Sequence, residues 1–107
     1  MVWSRTALDD LASILEYVAR HDGAERAGTL YESMRARIDT LTRLPRRGRV
    51  VPELKAMGLA EFRELLVAPY RVCFRIHERT VVLLGVLDGR RGLGELLLER
   101  ALRLPEG

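Results

Sequence analysis

One cysteine, two histidines and a 6% aromatic content leave this 107-residue chain with few of the groups on which common protein chemistries are built. With Cys73 alone there is no internal disulfide, and a single cysteine inside a strand pattern reads as a small apolar filler. Two histidines and one cysteine form no cluster with zinc-ligand spacing, so no metal is expected. The glycines of GRRGLG, residues 89–94, stand near a helix start, but the Gly-Lys-Ser/Thr ending of a phosphate-binding loop is missing, and no cofactor is expected. No apolar run approaches the roughly 18 residues needed to cross a bilayer, so a soluble protein with no membrane partner is expected. The N-terminal MVWSRTALDD has no apolar stretch after its basic residue and acquires acids at once, so it does not read as a secretory signal, and a cytoplasmic location is expected. The chain is long enough for one domain over residues 1–107 and too short for two.

What the chain does have is arginine, unevenly placed. Residues 1–42 hold five basic and seven acidic side chains, whereas residues 43–91 hold eleven against five. A basic middle on a nearly neutral frame suits an acidic partner, either nucleic-acid phosphate or an acidic protein segment. Scattered surface arginines that only keep the protein soluble are the plainer reading of the same count.

The periodicity is legible along the chain. Val2 and Trp3 begin a short strand. Ser4 or Thr6 then caps a helix to about Arg20, with Asp9 and Asp10 in its first turn and an apolar stripe of Leu8, Leu11, Ile14, Leu15 and Val18. Gly23 breaks it, and a second helix runs from about Ala24 to Leu44 with its stripe on Ala27, Leu30, Tyr31, Met34, Ile38 and Leu41. Pro45 ends that helix, and RRGRVVPELKAMGLAE reads as a long loop. Strands are expected at 61–67, 70–77 and 81–87, joined by hairpin-length connections. In the middle one, Val72, Phe74 and Ile76 alternate with Arg71, Cys73 and Arg75, which predicts one packed face and one basic face. The run VVLLGVL is apolar on both faces and belongs inside a sheet. A leucine-rich helix over 93–104 closes the chain, and its apolar surface invites a partner. The fold class is therefore α+β, with a short N-terminal strand and a two-helix hairpin on a mainly antiparallel sheet, followed by a C-terminal helix.

This order, together with VWSRTALDDL, ILEYVA, LPRRGRVVPEL, FRELLVAPYRVCFRI and VVLLGVLDGRR, resembles the RelE/ParE family of toxins from type II toxin–antitoxin pairs. The resemblance covers nearly the whole chain. It implies a growth-arresting, plasmid-stabilising type of protein that is neutralised by a cognate antitoxin, with which a heterotetramer is possible. RelE-like members are ribosome-dependent messenger RNA nucleases, and ParE-like members are described as inhibitors of DNA gyrase. By motif, Arg63, Arg71 and Arg91 match the basic positions of the nucleases, but a further basic position is Leu65 here. The place of the catalytic tyrosine is near Leu97, and no tyrosine lies beyond Tyr70. The ParE-like side is favoured, with gyrase as the expected target. Ribosome and mRNA are the alternative, as is a non-toxic relative that only binds antitoxin.

On this reading Arg63, Arg71, Arg90 and Arg91 form a target- or phosphate-binding set, and Leu93, Leu96 and Leu97 an antitoxin-binding face. If the chain is a nuclease, Arg63, Arg71 and Arg91 polarise phosphate and Asp88 is the candidate base. Each residue has a second reading. Arg63 and Arg71 can pair with Glu61 or Glu64 across strands. Arg90 and Arg91 can be a solvated turn, and Asp88 can orient them. Tyr70 is in phase with the core, and His21 suits a helix C-terminus.

Overall fold

Ser4 separates the first two elements. In the computed structural model, which describes residues 1–103, strand β1 is Val2–Trp3 and helix α1 is Arg5–Asp22. The Ser4 hydroxyl accepts from the Ala7 amide at 3.1 Å, satisfying one of the donors a helix start leaves open. Asp9 and Asp10 therefore fall in the second turn, not the first, and Asp10 has a different task described below. Gly23 ends α1 and starts α2, Ala24–Asp39, in a single residue, with φ of 96° in the region that side chains avoid.

The buried stripe of α1 is Ala7, Leu11 and Val18; Leu8 is 49% exposed, because the smaller Ala7 faces the sheet instead. Helix α2 stops at Asp39 rather than Leu44. The Thr40 and Thr42 hydroxyls donate to the carbonyls of Arg37 and Asp39, and the chain tightens into a 3₁₀ turn over Thr40–Thr42 that still buries Leu41. A second 3₁₀ turn, Pro45–Arg47, follows.

The segment expected as loop contains two elements too short to show a period: strand β2, Arg49–Val50, and helix α3, Pro52–Lys55. Pro52 occupies the first turn of α3, where its missing N–H costs nothing, and Val51 and Leu54 are buried. Strands β3 (Phe62–Val67), β4 (Tyr70–His77) and β5 (Thr80–Asp88) follow, and helix α4 is Gly94–Arg103. Leu104, the expected helix end, lies outside the described residues.

The five strands lie in the order β1-β5-β4-β3-β2, antiparallel except for the parallel β1–β5 pair. Between Cys73↔Gly85 and Phe74↔Leu83 the ladder shifts by one residue, so Leu84 is an extra residue in β5. The bulge changes the phase: Val81, Leu83 and Val86 enter the core under the α1–α2 hairpin, while Leu84 and Leu87 enter the core on the other face. This is why VVLLGVL carries apolar residues of both parities.

The second core corrects the expected one-sided sheet. Cys73 and Arg71 lie beneath α3 and α4 and are buried, so the face predicted to be open and basic is covered. Burial pushes the Cys73 thiol up to about 12, consistent with a filler role. Among the described residues, no helix is long and apolar enough to cross a membrane.

Candidate functional site

The sequence assigns four arginines to one site, but the sheet separates them. Arg63 pairs in register with Phe74 and shares the hairpin face, whereas Arg71 pairs with Leu66 and lies on the opposite face with Cys73. Arg63 donates to the Gly48 carbonyl at 2.9 Å. Gly48 fits there because a Cβ would lie 2.6 Å from the Glu64 carbonyl and 2.8 Å from the Phe74 ring.

Arg71 is 8% exposed and fully engaged. Its Nε donates to Glu64 at 2.6 Å, and its two terminal nitrogens grip Glu53 of α3 at 2.6 and 2.7 Å. The other Glu64 oxygen accepts from Arg49 at 2.7 Å. Glu64, 1% exposed, is thus a buried carboxylate held by a cation at each oxygen. The Arg71 guanidinium holds the Glu53 carboxyl down at about 2, and the Arg71 charge is itself reinforced chiefly by Glu53. Arg71, expected in the target- or phosphate-binding set, is engaged by Glu53 and Glu64, and an anion there would have to displace Glu53. Of its two readings, the cross-strand pair with Glu64 is the one that occurs.

A second ionic group closes the edge of the sheet. β1 pairs only with Val82 and Leu83, so β5 runs on without a neighbour on that side. There Asp10 of α1 accepts from the Val86 amide at 3.0 Å, and Arg100 of α4 grips Asp10 at 2.8 and 2.9 Å while also reaching the Leu84 carbonyl at 3.3 Å. The pair satisfies backbone groups that a strand edge leaves open and ties the two helical layers together around it.

Beyond this plug the surface opens into a groove. A cleft of about 390 Å³ runs between α1 and α4 over the end of β5, with Tyr17, Leu93, Leu96, Asp88, Arg90 and Arg91 on its walls. A wider cleft of about 900 Å³ continues past Asp22, Arg26 and the Ala68–Pro69 turn, and Tyr17, Tyr70 and Arg90 belong to both. Tyr17 is 61% exposed and stacked on His21 at 4.0 Å, and the His21 ring nitrogen lies 2.9 Å from the Tyr17 carbonyl at the helix end. Burial and the Asp88 carboxylate push the Tyr70 phenol up. Tyr70 packs against the hairpin core and so has both a core face and a groove face.

Arg90 holds Asp88 through its Nε and one terminal nitrogen at 3.0 and 2.8 Å, and its amide donates to Asp88 at 3.0 Å. These bonds keep the Asp88 carboxyl down at about 2, which makes it an orienting anchor and a poor proton acceptor near neutrality. Arg91 projects beside it, its amide 3.3 Å from the Asp88 carbonyl.

The expected open leucine face is also corrected. Leu93 and Leu97 are buried in the protein's own second core, and Leu96 is partly buried at the groove wall, because α4 needs its apolar stripe to cover Cys73, Leu84 and Leu87. The exposed leucine of α4 is Leu102, at 73%. The structure thus brings Asp88, Arg90, Arg91, Leu93 and Leu96 together and leaves Arg63, Arg71 and Leu97 elsewhere. Sequence reasoning missed Tyr17, Glu53, Asp10 and Arg100. Asp10 carried a signal, since it adjoins the apolar stripe at i+3 from Ala7.

A family model for the ParE toxin of type II toxin–antitoxin systems, parDE, matches residues 1–93. Among solved structures the chain is similar to a chromosomal ParDE toxin–antitoxin system from P. aeruginosa, with 22% identity and a TM-score of 0.65 over 80% of this chain and 90% of that one. At that identity the likeness speaks for the fold. No curated protein sequence matches the chain.

Proposed function

Because the chain belongs to the ParE toxin family of type II toxin–antitoxin systems, we propose that it arrests growth by binding DNA gyrase through the Tyr17–Tyr70–Arg90 groove, and that a cognate antitoxin silences it by covering the same groove. The observation that carries this reading is the convergence of two exposed arginines and two tyrosines on one continuous cleft. Tyrosine and arginine supply much of the energy of protein–protein contacts, because each offers a large contact area with a polar end. The groove also has mixed charge, with Asp22 and Glu25 facing Arg26 and Arg90, which suits a protein partner better than a uniformly anionic one.

The same placements weigh against the nuclease alternative. Cleavage through a ribose 2′-hydroxyl needs cations and a base converging on one phosphate. Here Arg71 is committed to Glu53 and Glu64, Arg63 lies on the other face, and Asp88 is held ionised by Arg90. Purified protein should block gyrase supercoiling and leave messenger RNA intact in a translating extract. Ribosome-dependent cleavage with unaffected supercoiling would reverse the assignment.

A further inference from the structure

The connection from α2 to β2 is the most basic stretch of the molecule, and the proposed function leaves it unused. Residues 40–52 contain four arginines and no acid. Eight arginines elsewhere or at its margin, including Arg5, Arg20, Arg35, Arg49, Arg90 and Arg103, have carboxylate partners within 4.0 Å. Arg43, Arg46 and Arg47 are exposed and make no ion pair among the described residues. The aliphatic stems of the three, with Leu44 and Pro45, line one almost wholly apolar concavity of about 520 Å³, so it marks their adjacency and is not itself the anion site. They sit past the C-terminal end of α2, whose 16 residues span roughly 24 Å, away from the α1–α2 turn that borders the groove.

A protein that pairs eight of its seventeen arginines with carboxylates yet leaves three within five residues without an ion pair among the described residues maintains a local field there that an external anion relieves. We propose that Arg43, Arg46 and Arg47 form a second, independent surface that binds the phosphate backbone of duplex DNA. Residues 40–55 include no aromatic side chain, so the stacking platform on which single-stranded nucleic acid is held is missing. Backbone phosphates require only positioned cations, and guanidinium groups suit them through paired N–H donors. An acidic protein is the weaker fit, since stable protein interfaces engage about 20–30 residues on each side and this concavity is bounded by five. The surface adds to the gyrase reading without depending on it.

The test is fluorescence anisotropy of a labelled 20-base-pair DNA duplex with the full chain over a salt series. Wild type should bind with a steep salt dependence. In R43A/R46A/R47A the slope of log affinity against log salt should fall by about 2.7, three phosphate contacts at roughly 0.9 each. The control R5A/R20A/R103A removes the same charge from paired, exposed positions and should keep the wild-type slope. Equal slopes for wild type and R43A/R46A/R47A, a fall as large in the control, or no binding at low salt would overturn the proposal. Tighter binding of a single-stranded RNA of equal length, or of a glutamate polymer at equal charge, would assign the surface to another partner and overturn it too. Growth arrest by R43A/R46A/R47A, measured alongside, keeps this outcome separate from that of the groove.

Discussion

Replacing Arg71 separates a structural arginine from a phosphate ligand. Arg71→Met keeps most of the stem's volume and removes the guanidinium that joins Glu64 on β3 to Glu53 on α3. Glu64, 1% exposed, then keeps only Arg49, whose side chain is 57% exposed and so a weaker, better solvated cation. Removing one member of a buried ion pair typically costs 3–5 kcal/mol, because the remaining charge stays buried. The retained Arg49 contact places the expected loss near the lower end, about 3 kcal/mol. With a urea m-value of about 2 kcal/mol/M, that loss is a drop of about 1.5 M in the unfolding midpoint. Thermal unfolding should fall by about 12–20 °C for a domain of this size. The double variant R71M/E64L removes the stranded charge and should recover at least half of the loss, since an apolar replacement of a whole buried pair is often neutral. A loss below about 1 kcal/mol in Arg71→Met, with growth arrest abolished, would mean that Arg71 is not a structural arginine and return it to the functional set.

Three further outcomes follow from the same geometry. Asp10→Ala should cost about 2–3 kcal/mol in urea unfolding, because the Val86 amide and the Arg100 charge both lose their partner, and hydrogen exchange at Val86 should speed up at least tenfold. The Arg71 guanidinium holds the Glu53 carboxyl down at about 2 when folded, below the ordinary glutamate value of 4.5. Its stabilisation, on the order of 1–2 kcal/mol after solvent screening, is therefore complete above about pH 4.5 and lost as pH falls toward 2, and Arg71→Met should flatten that window of the pH–stability curve. Gly48→Ala should destabilise by about 1–3 kcal/mol, because the new methyl meets the Glu64 carbonyl and the Phe74 ring, which is locked in the core, and calorimetry would detect the shift.

The elements whose period runs long enough were readable from the chain. The α1–α2 hairpin, its Gly23 break and the three consecutive strands lie within a few residues of their expected bounds. β2 and α3 were not, because two and four residues cannot display a period. The covered basic face was misread for a related reason: alternation shows that Arg71 and Cys73 share a face, but not that α3 and α4 return to bury it. Glu64 offered the missing hint, being in phase with Phe62 and Cys73, and an acid at such a position needs a buried cation. In the groove, Asp88, Arg90 and Arg91 were legible as a strand-end cluster. Tyr17 was not, because it is 71 residues away from Asp88 on an exposed helix face, and only the packing of α1 along β5 brings it there.

Gyrase supercoiling measured against increasing protein, with wild type set beside R90A/R91A and Tyr17→Ala, tests whether the groove binds gyrase. Wild type should inhibit, both variants should fold as wild type does, and R90A/R91A should need at least tenfold more protein for half inhibition. Equal inhibition by all three would remove the groove from the mechanism, and absence of inhibition by wild type would contradict gyrase as the target.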